Sequence, residues 1–305
     1  MSGLQVLLVA GTHGNEVNAP WLFDQWFKRP DLIKTNGLKL RKVIGNPLAR
    51  KACLRYLDRD LNRSFDPEIL NSQSNKDYEV KRANDLLDLY GPTGQNPCQI
   101  AIDFHSTTAA MGCCLVVYGR RYADFALAAL IQHRLGLPIY LHEGDNSQKG
   151  FLVESWPCGL VIEVGPAPQG LLSNQIIHQT RLSLEICIEE IAKINSGLAY
   201  YPNHLVVHRH LGSKDYPRDS SQNMLGIIHT DFEKQNWIPL SQGAPLFISL
   251  DGTNILYNGA NNDIPVFINE ASYVEKNIAF SLTKKEVLPF DNDWSNAINS
   301  LILMT

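Results

Sequence analysis

Apolar and polar stretches alternate along the first two thirds of the chain in a way that predicts strands and helices in turn. Apolar runs at residues 6–10, 38–44, 99–104, 114–118, 139–141 and 160–164 are predicted strands. Helices are predicted at residues 17–29, 78–90, 122–135 and 175–195. Strands that alternate with helices are typical of an α/β fold with a mostly parallel sheet and helices on its faces. We therefore expect such a domain over residues 1–200.

The pattern changes near residue 200. Short predicted strands follow at residues 205–209, 225–229, 246–250, 255–257 and 265–269, and no helical pattern separates them. The pairs Asp251-Gly252 and Asn258-Gly259 are typical hairpin turns. Residues 201–305 are therefore predicted to form a smaller β-rich domain.

Composition narrows the class of protein. The 305 residues are 44% hydrophobic and 19% charged, which is ordinary for a globular protein. A net charge of −4 gives no reason to expect nucleic acid or an anionic membrane as a partner. No apolar run approaches the roughly 18 residues of a membrane-spanning helix, and we see no signal-peptide pattern. Six scattered cysteines without a CxxC pair favour reduced thiols and a cytoplasmic location.

The first strand leads into candidate metal ligands. His13 and Glu16 follow it in a segment that contains Gly11 and Gly14, which allow a sharp turn. Imidazole nitrogen and carboxylate oxygen are both good zinc donors. A pair of ligands with this spacing also arises by chance on surface loops, so a third ligand is needed.

The strand at residues 99–104 supplies the third candidate. His105 follows it directly, and Asp103 lies two residues earlier on the same side, where it could support the site. If the two strands are neighbours, both loops emerge at the same sheet edge, where α/β folds bind ligands. Three N and O ligands leave zinc a fourth position for water, the arrangement of catalytic sites. The alternative for His105 is a hydrogen-bonded core histidine.

Further along the chain lie residues that could take part in catalysis or in substrate binding. Glu163 lies in an apolar strand, where a charge is costly unless it is paired or reactive, and it could move a proton between water and a leaving amine. Arg55, Asn62 and Arg63 lie in a dense polar segment. Arginine can stabilise an oxyanion, and its fork suits a carboxylate. The alternative for Glu163 is a structural ion pair. The alternative for the three residues of the polar segment is a solvated loop. The histidines at 204, 208 and 210 are expected to be solvated.

At four places the chain resembles the aspartoacylase/succinylglutamate desuccinylase family of the zinc carboxypeptidase-like superfamily. These are residues 11–16 (GTHGNE), 55–63 (RYLDRDLNR), 103–108 (DFHSTT) and 162–166 (IEVGP). Residues 216–219, 237–240 and 265–271 resemble its C-terminal domain. The resemblance covers nearly the whole chain in the same order.

The resemblance implies a fold, an activity and a role for each site residue. It implies a mixed, largely parallel sheet flanked by helices, and a C-terminal β domain that narrows the entrance to the site. It further implies hydrolysis of N-acetyl-L-aspartate to acetate and L-aspartate. One zinc ion would be held by His13, Glu16 and His105, and Glu163 would act as general base and then acid. Arg55 would polarise the scissile carbonyl. The substrate would be bound by Asn62, Arg63 and Tyr273, the first two at its α-carboxylate.

The sequence departs from the family pattern at one place that concerns substrate binding. The family carries an arginine upstream of the IEVGP motif for the side-chain carboxylate, and residues 146–160 contain none. Lys149 is the only cation there and is the expected replacement. N-succinylglutamate or N-acetyl aromatic amino acids remain alternative substrates, and a homologue that binds zinc or a small molecule without turnover remains an alternative function. No GxSxG, GxGxxG or P-loop motif points to a serine hydrolase or a nucleotide cofactor. The oligomeric state stays open between a monomer and a homo-oligomer.

Overall fold

A computed structural model describes residues 3–72, 76–142 and 148–304. Its strands are β1 Gln5–Ala10, β2 Lys39–Ile44, β3 Ile100–Ser106, β4 Cys113–Val117, β5 Ile139–Leu141, β6 Cys158–Val164, β7 His204–Lys214, β8 Gly226–Ile228, β9 Pro245–Ser249, β10 Asn254–Leu256, β11 Ile264–Val266 and β12 Phe280–Pro289. Its α-helices are α1 Asn18–Lys28, α2 Pro47–Ala52, α3 Pro67–Leu70, α4 Tyr78–Tyr90, α5 Tyr122–Leu135, α6 Asn174–Asn195 and α7 Asn292–Ser300. None of the described helices is long and apolar enough to cross a membrane.

A nine-stranded sheet runs through the molecule in the order β11-β12-β7-β5-β4-β6-β3-β1-β2. Five of its eight neighbouring strand pairs are parallel, and three are antiparallel. The prediction of a mixed, largely parallel sheet flanked by helices is therefore confirmed. Strands β6, β3 and β1 are parallel neighbours, so their carboxyl ends lie side by side.

Helices cover both faces of this sheet, which explains why the central strands are apolar throughout. Alternate residues of β1 enter two different cores: Val6 and Leu8 pack into one, Leu7 and Val9 into the other. The first core also takes side chains from α1, α5, α6 and α7. The second core lies on the face covered by α4. The candidate catalytic residues of β3 and β6 lie on this second face.

The C-terminal third is β-rich, as expected, and contains a separate three-stranded antiparallel sheet, β10-β9-β8. It also has its own apolar cluster, which includes Phe232, Phe247 and Phe280. The large sheet nevertheless continues across the predicted boundary at residue 200, because β7, β12 and β11 join it. The chain finally returns to the first core, where Trp294 of α7 stacks on Phe125 of α5. Residues 201–305 thus share the large sheet and the first core with the preceding residues.

Strand β12 and the helices α2, α3 and α7 were not predicted from the sequence. Strand β12 pairs antiparallel with nearly the whole of β7, which is itself longer than predicted. Its middle contains Lys284, Lys285 and Glu286, which interrupt a simple apolar alternation. Helix α7 has only nine residues, of which Trp294 and Ile298 are buried. Pairing with β7 stabilises the strand, and packing on α5 stabilises the helix, so neither depends on a strong local signal.

Candidate active site

A short loop after β1 places His13 and Glu16 at the carboxyl end of the sheet. Gly11 turns the chain with a φ of 70°, a conformation that glycine adopts at little cost. The loop then passes so close to α2 that a Cβ on Gly14 would lie 2.2 Å from the carbonyl carbon of Ala49. Glycine is therefore required at both positions, and the loop brings His13 and Glu16 within contact of each other.

His105, the second-to-last residue of β3, contacts the same two residues. His13 Nδ1 lies 2.6 Å from Glu16 Oε1, and His105 Nδ1 lies 3.1 Å from Glu16 Oε2. The two Nδ1 atoms are 3.2 Å apart. All three side chains are buried, and within residues 3–72, 76–142 and 148–304 they form the only group of donors that could hold a metal ion. The structure thus brings the three predicted metal ligands together.

The arrangement of these donors suits zinc. Tetrahedral zinc with Zn–N distances of about 2.0–2.1 Å separates two ligand nitrogens by about 3.3 Å, close to the observed 3.2 Å. Two imidazoles and one carboxylate leave a fourth position for water or substrate. The residues therefore fit a catalytic zinc ion.

Two carboxylates contact the imidazole rings on the side away from the ligand position and orient them. His13 Nε2 lies 3.0 Å from Asp60 Oδ1, and His105 Nε2 lies 2.7 Å from Asp103 Oδ2. Thr12 donates its hydroxyl to both oxygens of Asp103, at 2.8 and 2.9 Å. Such contacts fix the ring orientation and keep Nδ1 turned towards the ligand position. Asp103 could be suggested from its place two residues before His105, whereas Asp60 was missed because 47 residues separate it from His13.

The charges of this cluster are strongly coupled. Burial alone would lower the pKa of His105, but the carboxylates of Asp103 and Glu16 outweigh it and raise that pKa well above its usual value. Burial would likewise raise the pKa of Glu16, but His13 and His105 hold it well below its usual range. Without a metal ion the carboxylates around His105 therefore favour its protonated form.

Glu163 lies beside the ligands on the neighbouring strand. It is the direct partner of His105 in the parallel β3–β6 ladder, so both side chains leave the same face of the sheet. Its Oε2 is buried and has no hydrogen-bond partner within the described part of the chain. Burial, with help from Glu16 and Glu270, raises the pKa of Glu163 to about 8 against the opposing effect of His105 and Arg55. A carboxyl group of this kind can exchange a proton near neutral pH.

The polar segment at residues 55–63 is held in place by a buried carboxylate of α4. Glu79 accepts hydrogen bonds from the backbone N–H groups of Leu57, Asp58 and Arg59, at 2.7–3.3 Å. It also accepts one from the side chain of Asn46, the N-cap of α2, at 3.0 Å. The segment therefore has a fixed path despite having little regular structure, and it is not a solvated loop.

Arg55 reaches the metal ligands from this segment. Its Nη1 lies 3.5 Å from Glu16 Oε1 and its Nη2 lies 3.3 Å from Asp60 Oδ2. Its Nε is buried and has no hydrogen-bond partner within the described residues. Burial opposes the charge of Arg55, but Asp60, Glu16 and Glu270 raise its pKa. Arg55 thus remains cationic beside the group that would hold the metal ion.

Asn62 and Arg63 line the same cavity. The side-chain oxygen of Asn62 accepts a hydrogen bond from the backbone N–H of Leu152 at 2.8 Å, which leaves its amide NH₂ as the donor for a ligand. Arg63 donates from Nη1 to the backbone oxygen of Asn62 at 2.8 Å and from Nη2 to Gln148 Oε1 at 3.2 Å. Its guanidinium carbon lies 3.9 Å from the ring centroid of Phe151. Stacking and hydrogen bonds thus fix the orientation of the guanidinium group.

The C-terminal third supplies one wall of the cavity through the 3₁₀ helix Ala271–Lys276. Tyr273 of this helix lines the cavity, as does Lys276. Glu270, the N-cap of the helix, accepts hydrogen bonds from the backbone N–H groups of Thr108 and Ala109, which follow β3. Its carboxylate therefore ties this wall to the loop that follows His105. Neither Glu270 nor Lys276 was identified from the sequence, although Lys276 lies three residues after Tyr273, on the same side of a 3₁₀ helix.

Away from the ligand group, the cavity is lined largely by aromatic side chains. The aromatic residues are Tyr118, Tyr140, His142, Phe151, Phe267 and Tyr273. Lys149 is not among the lining residues: it is exposed and borders two surface depressions outside the cavity. Its neighbours Gln148 and Phe151 line the cavity instead. The structure therefore does not place Lys149 where a replacement for the missing arginine was expected.

The three histidines of β7 are dispersed. His204 is exposed, whereas His208 is buried and packs edge-on against Trp237, so the expectation of a solvated group is wrong for His208. His210 Nδ1 lies 2.8 Å from the hydroxyl of Tyr140. Within the described parts of the chain these histidines do not belong to a metal-binding group.

The fold and site define an α/β protein with a buried histidine–glutamate–histidine group that could hold a metal ion, at the carboxyl ends of its central strands. The profile of the Succinylglutamate desuccinylase/Aspartoacylase catalytic domain family matches residues 2–191. That of the AstE/AspA barrel-sandwich hybrid domain matches residues 203–285. A probable aspartoacylase from Prochlorococcus marinus strain MIT 9313 is 58% identical over 302 residues, or 99% of each chain. One from Synechococcus sp. strain CC9605 is 55% identical over 302 residues, covering 99% of each chain.

Solved structures of two related enzymes have a similar fold. Murine aminoacylase 3 superposes with a TM-score of 0.87 and 32% identity over 95% of this chain and 98% of its own. Succinylglutamate desuccinylase from Vibrio parahaemolyticus shares the fold, with a TM-score of 0.61 and 16% identity over 94% of this chain and 86% of its own. The chain belongs to the aspartoacylase/succinylglutamate desuccinylase family, and this membership supports hydrolysis of an N-acyl amino acid.

Proposed function

We propose that the protein is a zinc-dependent amidohydrolase that converts N-acetyl-L-aspartate and water to acetate and L-aspartate. The observation that carries the proposal is the buried Oε2 of Glu163, which has no hydrogen-bond partner in the described part of the chain and lies beside three convergent candidate metal donors. A bound zinc ion lowers the pKa of water to about 7 and polarises a carbonyl group. His13, Glu16 and His105 would hold this ion, with Asp60 and Asp103 behind the two imidazoles.

The residues around the ligand group supply the remaining steps. Glu163 takes a proton from the attacking water and later delivers it to the nitrogen of the leaving amine, so that one carboxylate serves both stages. Arg55 donates to the substrate carbonyl oxygen as negative charge develops on it. Its buried Nε and its position beside Glu16 support this role.

Substrate binding is assigned to groups that line the rest of the cavity. The amide of Asn62 and the guanidinium of Arg63 bind the α-carboxylate, because a planar fork suits two-point contact. Tyr273 closes the site from the C-terminal wall. We give Lys149 no role, since it lies outside the cavity.

A second candidate is the deacylation of an N-acetyl aromatic amino acid. The aromatic lining of the cavity favours it, with Phe151 on the segment that was expected to carry a cation. An apolar wall of this kind can bind an aromatic side chain. N-succinylglutamate remains a third substrate within the same chemistry.

A substrate panel with metal-replete protein tests these proposals. N-acetyl-L-aspartate, N-acetyl-L-glutamate, N-succinyl-L-glutamate and N-acetyl-L-phenylalanine are compared, with a chelated sample as control. Fastest hydrolysis of N-acetyl-L-aspartate, abolished by chelation and restored by zinc, is expected. A faster aromatic substrate would support the second candidate. Zinc binding without turnover of any member would contradict both and indicate a binding protein that has kept the fold.

A further inference from the structure

Lys276 is a cation of the cavity wall that none of the steps above uses. It is the last residue of the 3₁₀ helix Ala271–Lys276. It lines both the cavity and a surface depression outside it, together with Arg63 and Gln148. These three residues therefore lie where the cavity meets the protein surface, on the path of an entering substrate.

The ammonium group of Lys276 has no hydrogen bond to any of the described residues. Its Nζ is buried and has no hydrogen-bond partner within the described residues. The nearest ion-pair contact is Asp60 Oδ2 at 3.7 Å, and this oxygen already receives Nη2 of Arg55 at 3.3 Å. An ammonium group carries three N–H donors, and a buried one without acceptors costs free energy. The position therefore favours a ligand that brings a negatively charged acceptor.

The surroundings keep Lys276 in this position. The hydroxyl of Tyr56 donates to Glu275 Oε2 at 2.8 Å, which ties the helix to the segment that carries Arg55. Glu270 holds the other end through its hydrogen bonds to the loop after β3. The Nζ lies 5.9 Å from the ring centroid of Tyr273. The ammonium is thus placed by two anchored ends of a short helix and does not depend on a flexible loop.

The other two cations that line the cavity, Arg55 and Arg63, are already assigned to other contacts. Arg55 contacts Glu16 and Asp60 beside the metal ligands. Arg63 is fixed by Asn62, Gln148 and Phe151 in an orientation that suits the α-carboxylate. The lining includes no other lysine or arginine among the described residues, and residues 143–147 contain none in the sequence. An acidic substrate carries a second carboxylate, and Lys276 is the cation that remains for it.

We propose that Lys276 binds the second carboxylate of a dicarboxylic N-acyl amino acid and thereby selects acidic substrates. It takes the place that the sequence had suggested for Lys149. This inference rests on the proposed hydrolysis of N-acyl amino acids. Lysine pairs with a carboxylate as a point charge and lacks the fork of arginine, so it can serve carboxylates at slightly different distances.

The test compares two substrates that differ only in the second carboxylate. N-acetyl-L-aspartate and N-acetyl-L-asparagine have nearly the same shape, but asparagine has a neutral amide. We expect Lys276→Met to lower kcat/KM for the aspartate substrate about tenfold or more and to change it less than about threefold for the asparagine substrate. Lys276→Arg should restore most of the loss. Equal losses on both substrates would overturn the proposal.

Lys149→Met decides between the two lysines. If it lowers the aspartate-to-asparagine ratio and Lys276→Met leaves the ratio unchanged, the interpretation from the sequence is correct and our proposal is wrong. Unchanged circular dichroism and zinc content verify that each variant is folded. Wild-type protein that hydrolyses only monocarboxylic substrates would overturn the role of Lys276 and leave zinc-dependent hydrolysis standing. No turnover of any substrate would overturn both.

Discussion

The cavity has two walls that differ in how their polar groups are satisfied. We call His13, Glu16 and His105 with their supporting Asp60 and Asp103 the metal wall, and Arg55, Glu163 and Lys276 the substrate wall. In the metal wall, each imidazole nitrogen that faces away from the ligand position has a carboxylate partner. In the substrate wall, Arg55 Nε, Glu163 Oε2 and Lys276 Nζ are buried without hydrogen-bond partners among the described residues.

This difference separates two requirements of a catalytic site. The metal wall holds its donors in one arrangement before a ligand arrives, which reduces the reorganisation needed for metal binding. The substrate wall keeps donors and acceptors unpaired, so that substrate and water can use them. An unsatisfied buried polar group costs about 1–3 kcal/mol, and such losses of stability are common where function needs them. The comparison predicts different responses to substitution in the two walls.

The largest effect is expected at Glu163. Glu163→Gln keeps the shape of the side chain but removes its ability to accept a proton, so kcat should fall about 10²- to 10⁴-fold. Zinc content should stay at the wild-type level, since Glu163 is not one of the three donors. Steady-state kinetics and metal analysis of the same preparation measure both quantities. An unchanged kcat would contradict the proposed mechanism. A loss of zinc would indicate that Glu163 contributes to metal binding.

The next effect concerns the supporting carboxylates. Asp103→Asn weakens the contact that orients His105, and we expect a 10- to 100-fold loss in zinc affinity. Competition with a chelating dye measures it. Thr12→Val is the matched control: it removes only the hydroxyl that donates to Asp103 and should have a smaller effect. Equal affinities for wild type and Asp103→Asn would show that the metal wall does not depend on this contact.

Metal binding should also depend on pH. Asp103 and Glu16 raise the pKa of His105 well above its usual value despite burial, so the metal-free protein favours the protonated form of this residue. Zinc must displace this proton, so apparent affinity should rise with pH between 6 and 8, by up to about tenfold per unit for each proton released. Calorimetry in buffers of different ionisation enthalpy counts the protons. Asp103→Asn should weaken the dependence, and zinc binding without proton release would contradict the charge assignment.

The metal wall was largely predictable from the sequence, whereas the substrate wall was predictable only in part. His13, Glu16, His105 and Glu163 each follow or end an apolar strand, and parallel neighbouring strands bring such positions to one edge. Each of the three candidate ligands, and Glu163 of the substrate wall, therefore carried a local signal. The predicted strand-end positions of His105 and Glu163 agree with the structure to within two residues.

Residues that depend on distant pairing carried no such signal. Lys276 reaches the cavity because Glu270 binds the loop after β3, across more than 160 positions of the chain. Lys149 was chosen because it is the only cation at residues 146–160, but the path of the chain leaves it on the surface and brings Gln148 and Phe151 inside. Strand β12 was missed for the same reason, since its pairing with β7 and not its own pattern stabilises it.

The smallest predicted effect is on stability, and here the two walls should respond with opposite sign. Lys276→Met removes a buried ammonium group that has no hydrogen-bond partner among the described residues. It loses a 3.7 Å ion pair with Asp60 and a contact 5.9 Å from the Tyr273 ring centroid, so the metal-free protein should gain about 1 kcal/mol. Asp103→Asn removes a carboxylate that accepts from Thr12 and His105, so the same protein should lose stability. For a chain of this size, 1 kcal/mol corresponds to a shift in Tm of about 2 °C. Differential scanning calorimetry of both variants with chelator present measures the shifts. If both variants melt below the wild type, Lys276 is stabilised by its surroundings, and the distinction between the two walls does not extend to it.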